Sequence, residues 1–404
     1  MNNQKVYRTI CWVLSDRSTQ VEWETLTPQE WSLLWRQACA EGVAPLLYRK
    51  LDSVVGIDGQ SVAVRRQLSE LKHQAETEYY QSLAQNQLLF HELGGVLTAL
   101  EDQGIQVILL KGAALAQTLY EDIGLRLMND LDLLVRREEI DLAMGILQRH
   151  GYTEFYPQRL GMPRGVDQAV SHERHLRGGL QENLAIELHW NLISGEADRR
   201  SPPADWPWEE SIPFDTSTMP GQGGVPLHTW ILSPAASLLY AAAHLVLQHG
   251  PQARMLWYYD LHLMLTRWAG AIRWEELPQI AGRLGWADAL ALGLQEAQAY
   301  FATPLPPGLL ESLAPYSDPA ARRIIDLRAS AGDERQVATL VASQVYDLPT
   351  RLRLAVALAF PSPEYMRWRY QPSPEWVWPA YYLVRAWKML QYGFMNVRAL
   401  GSRK

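Results

Sequence analysis

Asp130 and Asp132 stand one residue apart in the apolar stretch DLDLLV. Alternate residues of a strand face the same way, so the two carboxylates project from one face about 6–7 Å apart, while Leu131 and Leu133 point into a core. Adjacent carboxylates repel unless positive charge lies between them, and a hard divalent cation such as Mg²⁺ is the usual solution. Glu187, between Ile186 and Leu188 in IELHW, is placed to add a third carboxylate. Three such groups can hold two Mg²⁺ ions and support in-line displacement at phosphorus. Upstream, IQVILLKG meets the chain AALAQTLY at Lys111-Gly112. Glycine at a strand-to-helix corner lets a phosphate approach the backbone, and the helix start offers free N–H groups. Lys111 adds a point charge, and Arg126, just before the acidic strand, is positioned for the same phosphates. His189 shares the face of Glu187 and is a candidate for touching a nucleotide or an acceptor. The spaced glycines and Lys-Ser/Thr of a Walker A loop are missing. No nucleophile elbow appears, which argues against a serine hydrolase.

These side chains need strands to carry them. Residues 105–112, 130–135, 152–156, 172–178 and 184–190 read as strands, the last two joined by a turn containing Glu182 and Asn183. Residues 113–120 and 137–151 read as helices, the second closed by Gly151. Long helices are expected over 22–50 and 61–103. Thr27, Pro28 and Glu30 form a helix-start signature, and Gly104 ends the run. Residues 194–226 are rich in Pro, Gly, Ser and charge and are expected to be irregular; helices resume near 233. The expected organisation is a helical region over 1–84, a core over 85–195, an irregular connection over 196–226 and a helical region over 227–404. The fold class is α+β: a small mixed sheet embedded in a mainly helical protein.

Composition narrows the options. A chain of 404 residues, 48% hydrophobic and 20% charged, is neither disordered nor collagen-like. Its net charge of −7 gives no general attraction to polyanions, and no basic run interleaved with aromatics marks an RNA track near the core. Two cysteines exclude a disulfide framework and a cysteine-built metal site. No apolar run reaches the length of a membrane span, and the first residues lack a signal-peptide pattern, so a cytoplasmic protein without membrane insertion is expected. Sixteen Trp against six Phe are taken as structural. The aromatic-basic end, WVWPAYYLVRAWKMLQYGFMNVRALGSRK, suits either a membrane surface or packing on the body; packing is expected. His244 and His249 lie five apart, on different faces of a straight helix, which is poor zinc geometry. Packing is expected for His244, and Asp260 is expected to pair with a nearby base.

Taken in order, LLKGAAL, LYEDIGLRLMNDLDLLV and IELHW resemble nucleotidyltransferases of the DNA polymerase β-like superfamily. Within it, the resemblance is to a largely uncharacterised bacterial group with a Lys-Gly, a Tyr-containing loop ending in Arg, an Asp-x-Asp strand and a later acidic-x-His-Trp strand. It covers about residues 85–265. The resemblance implies a nucleotidyltransferase core, Mg²⁺ (two ions) as cofactor, a nucleoside triphosphate as substrate, and transfer of a nucleoside monophosphate to a hydroxyl with release of pyrophosphate. It matches Asp130 and Asp132 to the metal-binding pair, Glu187 to the third carboxylate, Gly112 to the loop glycine, and Lys111 and Arg126 to phosphate contacts. The wider superfamily usually has Gly-Ser or Gly-Gly where this chain has Lys-Gly-Ala. The acceptor stays open among a small molecule, a sugar, a protein and RNA. Two alternatives stand beside this reading: a catalytically inactive nucleotide-binding protein, and a helical interaction protein.

Overall fold

The computed structural model describes residues 2–56, 60–155, 162–179, 184–194, 198, 200–220, 227–250, 253–330 and 346–388. Four helices come first: α1 (Asn2–Leu14), α2 (Pro28–Ala40), α3 (Ala44–Leu51) and α4 (Val62–Glu101). The Thr27–Glu30 signature forms a reciprocal capping box at the start of α2. Ser61 caps α4, and Gly104, at φ +74°, turns the chain after it.

Among the described residues seven strands follow: β1 (Val107–Leu109), β2 (Asp130–Leu134), β3 (Thr153–Glu154), β4 (Glu173–Gly178), β5 (Leu184–His189), β6 (Ser211–Phe214) and β7 (Thr229–Leu232). They lie in the order β3-β4-β5-β2-β1-β7-β6. β2 is parallel to β5 and β1 is parallel to β7, while the other pairs are antiparallel. This mixed sheet, embedded in helices, is the α+β architecture. Between its strands run α5 (Lys111–Thr118), α6 (Ile140–Arg149), α7 (Arg164–Val170) and α8 (Trp206–Glu209). After the sheet come α9 (Pro234–Ala243), a π-helical turn (His244–His249), α10 (Met255–Arg267), α11 (Leu277–Arg283), α12 (Ala287–Phe301), α13 (Leu309–Leu313) and α14 (Pro319–Ser330).

The sheet divides two apolar cores, and strand alternation decides which residue enters which. Leu109, Leu131, Leu133, Ile186 and Leu188 face the second half of α4 and α6, among Leu93, Leu97, Leu100, Ile146 and Leu147. Ile108, Leu110, Leu134 and Leu232 face the opposite way, into the larger core with Leu238, Leu245 and Leu261. Each such buried side chain contributes about 1.5–3 kcal/mol. At about 1.5 Å per residue, the 40-residue α4 is about 60 Å long. It supplies Leu68, Leu71 and Tyr79 to the larger core and Leu89 to Leu100 to the smaller.

The segment 194–226, expected to be irregular, contributes α8 and β6, and β7 follows before the helices resume. Both strands have only four residues, too few to show a period. Their pairing is tertiary: β7 lies beside β1 and β6 closes the edge, where Pro213 costs no ladder bond. The turn with Glu182 and Asn183 lies outside the described residues, as do Tyr156 and residues 389–404 of the aromatic-basic end. In the described part of that end, Trp376, Leu383 and Trp387 are exposed rather than packed on the body. Trp378 packs locally against Tyr382 and Arg367. Among the described residues no helix is long and apolar enough to cross a membrane.

Candidate active site

The register of β2 against β5 places Asp132 opposite Glu187. One strand further, β4 places His175 opposite Glu187 and Glu173 opposite His189. With Asp130, these residues occupy alternate positions on one sheet face, the face turned toward the larger core. Their neighbours Leu131, Leu133, Ile186 and Leu188 fill the opposite side.

Lys111 enters this face from β1. Leu110 is extended, and its N–H donates to the Asp132 carbonyl at 3.0 Å. The backbone then turns sharply, with Lys111 at φ +41°. A non-glycine residue in this region costs about 1–2 kcal/mol. The turn sends the Lys111 ammonium to 2.7 Å from Asp132 Oδ1 and 3.5 Å from Glu187 Oε2. Gly112 follows because a Cβ there would lie 3.0 Å from Arg126 Nη1 and 3.2 Å from Met128 Sδ.

His189 is fully buried, with Nε2 3.0 Å from Asp132 Oδ1 and Nδ1 3.4 Å from Glu173 Oε2. His175 bridges Glu173 and Glu187 at 3.2 and 3.3 Å, and His172 lies 3.3 Å from Glu173. These contacts set the electrostatics. Burial, with Asp132 and Glu187 nearby, pushes the Asp130 carboxyl up to about 7. Burial also disfavours ionised Glu187, but hydrogen bonds from His175 and His189 and the charge of Lys111 outweigh it and hold the group well below the carboxylate range. Burial opposes charge on His189, yet bonding to Asp132 and Glu187 raises it to about 9. His175 rises to about 9 against the same burial, through Glu173 and Glu187. Burial likewise opposes the Lys111 ammonium, and Asp132 leads the charges that keep it protonated.

Arg126 is buried and committed to Asp260. Nε lies 3.1 Å from Oδ1 and Nη2 2.8 Å from Oδ2, and the Tyr120 hydroxyl donates to the same carboxylate at 2.6 Å. This is the base expected for Asp260. Nη1 of Arg126 faces the Gly112 corner. Lys111 and Arg126 together line a cavity of about 60 Å³, shared with Tyr240, His244 and Trp257. It has room for a water or two, and a nucleotide needs several times that volume.

The two histidines five apart correct the straight-helix expectation. The chain from His244 to His249 is a π turn, whose wider pitch brings positions five apart together. Their Nε2 atoms are 3.4 Å apart, and Trp257 packs on the His249 ring at 4.4 Å between centroids. Burial, Lys111 and the other imidazole hold His244 well below its usual range, so the pair is neutral and packed. Gln248, in the same turn, lies 3.1 Å from His172 Nε2.

The sequence therefore brings Asp130, Asp132, Glu187, Lys111 and His189 onto one face, with Gly112 at its corner and Arg126 behind. It did not single out His172 or His175. The signal was present in HERHLRG, where Glu173 and His175 alternate with Arg174 and Leu176 as Glu187 and His189 do with Leu188.

Residues 27–302 match the family described as uncharacterised nucleotidyltransferase. The chain belongs to this family. The match begins well before the motif-bearing segment, so the N-terminal helices from α2 onward are part of the family's shared body. No match was found among curated proteins or solved structures.

Among the described residues, three sets of side chains bring metal-ligating atoms within 4.8 Å of one another: Asp132, Glu187 and His189; Glu173, His175 and Glu187; and His172, Glu173 and His189. The donor set fits a divalent cation. Burial and the neighbouring Asp132 and Glu187 push the Asp130 carboxyl up, the condition expected when acids are buried together with too little positive charge among them.

Proposed function

We propose that the chain transfers a nucleoside monophosphate from a nucleoside triphosphate to a hydroxyl acceptor, releasing pyrophosphate. The observation carrying this reading is the convergence of Asp132 and Glu187 in cross-strand register, with Asp130 on the same face and Lys111 between them. Asp130, Asp132 and Glu187 would hold Mg²⁺. When bound, Mg²⁺ supplies positive charge to the triphosphate and to the attacking oxygen.

The chain's own groups do the rest. The Lys111 side chain is 21% exposed and can exchange Asp132 for a phosphate oxygen. The first turn of α5 presents unpaired N–H groups beside Gly112, where a bare Cα allows close approach. Arg126, fixed by Asp260, keeps Nη1 at that corner. His189 holds Asp132 in place and His175 holds Glu187, so both carboxylates keep their direction. Entry of a triphosphate requires the Lys111 side chain to move and the 60 Å³ cavity to widen.

Binding without transfer is the competing reading, favoured by the closed Lys111–Asp132 pair. Incubation with each labelled triphosphate, Mg²⁺ and cell extract, followed by mass spectrometry of the labelled product and assay of pyrophosphate, separates the two. Pyrophosphate release is expected, and Asp132→Asn is expected to lower it on the order of 100-fold or more. Triphosphate binding without pyrophosphate release would establish the competing reading. Tight Mg²⁺–triphosphate binding that survives Asp130→Ala with Asp132→Ala would place the site elsewhere.

A further inference from the structure

We infer that His172, Glu173 and His189 form a second cation position, on the β4 side of the sheet, which takes a borderline divalent ion of the zinc class rather than magnesium. Two imidazoles and one carboxylate converge there within 4.8 Å. Magnesium prefers an all-oxygen octahedron with several waters, whereas imidazole nitrogen suits Zn²⁺, Co²⁺ and Ni²⁺. The position is separate from the Asp130–Asp132 pair and uses a different nitrogen of His189.

That nitrogen is the independent observation. His189 Nε2 stands 3.0 Å from Asp132 Oδ1, a distance at which its N–H donates to the carboxylate. Nδ1 then faces Glu173, and a bound cation would take the place of the proton that the imidazolium carries there. Nδ1 is buried, makes no hydrogen bond among the described residues, and lies 3.4 Å from Glu173 Oε2. An imidazole nitrogen held 3.4 Å from a carboxylate oxygen needs a positive species between them, the ring's own proton or, in its place, a metal ion. A metal-binding histidine normally has one nitrogen on the ion and the other donating to a carboxylate, and at His189 the second half of that arrangement, Nε2 on Asp132, is in place.

The third ligand is held firmly. The His172 carbonyl accepts from the Trp190 N–H at 2.9 Å, locking His172 against the end of β5. Its Nε2 is 3.3 Å from Glu173 Oε2, and the two imidazole rings are 5.6 Å apart between centroids. The Gln248 amide approaches the same Nε2 at 3.1 Å and must turn aside for an ion to bind there.

The inference does not depend on nucleotidyl transfer: a chain that releases no pyrophosphate would still bind the ion. The test is calorimetric titration of the full chain, stripped with chelator, using ZnCl₂ and separately MgCl₂, with no nucleotide present. One Zn²⁺ per chain is expected, bound at least about 100-fold more tightly than Mg²⁺. His172→Ala and Glu173→Gln should each weaken Zn²⁺ by about 10- to 100-fold, while Asp130→Asn should change it less than about threefold. The Co²⁺-loaded wild-type chain gives a readout that needs no folded variant, because imidazole ligands alter the metal's visible absorption. Zn²⁺ held no more tightly than Mg²⁺ would overturn the inference. So would Zn²⁺ affinity unchanged in both ligand variants, or a Co²⁺ spectrum identical to that of the hydrated ion.

Discussion

Three demands meet at Lys111: a left-handed backbone, a largely buried ammonium and two carboxylates. The conformation persists because the ammonium offsets charge on Asp132, whose side chain is 3% exposed. Replacing it by Met keeps the bulk and removes the charge. Lys111→Met is expected to cost about 2–3 kcal/mol by urea denaturation, less than a fully buried pair because the lysine side chain is 21% exposed. Added Mg²⁺ should restore part of that loss, whereas the wild type should gain less from it. The Arg126–Asp260 pair is drier and bidentate. Arg126→Met leaves Asp260 buried with only Tyr120 beside it, and a loss of about 3–5 kcal/mol is expected in the same measurement. At this scale, alternation within DLDLLV and IELHW made the shared face of Asp130, Asp132 and Glu187 readable. The partners were not readable: nothing local says that Lys111 turns to Asp132, or that Arg126 meets a residue 134 positions away.

Among the elements, α4 does most to position the motif loop. Tyr79 donates to Asp122 at 2.7 Å, and Asn86 donates to the Ile123 and Arg126 carbonyls at 2.5 and 2.8 Å. Gly124 lets the loop press on the helix, since a Cβ there would lie 2.7 Å from Tyr79 Cε2 and 3.0 Å from Leu83 Cβ. Asn86→Ala leaves one buried and one part-buried carbonyl without their donor and is expected to cost about 1–3 kcal/mol. Hydrogen exchange should show the loss concentrated in residues 120–128, with α4 still protected. Helix α4 was legible from its apolar spacing, as were α5, α6 and β2. The π turn was not, because periodicity assumes 3.6 residues per turn, and a five-residue spacing of His244 and His249 then reads as two faces. Strands β6 and β7 escaped for a related reason: four residues carry too little pattern, and only a neighbouring edge makes them strands.

For the molecule as a whole, the sheet stands between two cores, and the carboxylate face opens toward the larger one. The helices of that core also hold a pH-sensitive contact. His262 on α10 donates from Nδ1 to Thr303 Oγ1 at 2.9 Å, the Thr303 hydroxyl itself donating to the Ala297 carbonyl, and packs against Phe301 and Tyr259. Burial, assisted by Lys50 and opposed by Asp16, lowers its pKa to about 4, with Arg17 and Arg267 acting with Lys50. The unfolded chain takes up this proton near pH 6.5, before the folded chain does. Its contribution is therefore complete above pH 6.5 and is lost as pH falls toward 4. Thermal unfolding between pH 7.5 and 4.5 should show Tm declining with acid, and the decline should be shallower in His262→Asn. The tryptophan excess also resolves at this scale. Trp286 is fully buried and donates Nε1–H to the Arg200 carbonyl at 2.8 Å, while Trp376 and Trp387 lie at the surface.

The amino-acid order alone determined the acidic face, the lysine–glycine corner, the long helices and the α+β class. Each rests on a period or a cap spanning a few residues, and such local rules act before the chain is compact. The tertiary structure decided which charges meet. It brought β4 beside β5, so that Glu173, His175 and His172 joined Glu187 and His189, and it gave Arg126 to Asp260. Those pairings depend on strand order and register across long stretches of chain. They are fixed by burying two cores at once, which no local pattern specifies.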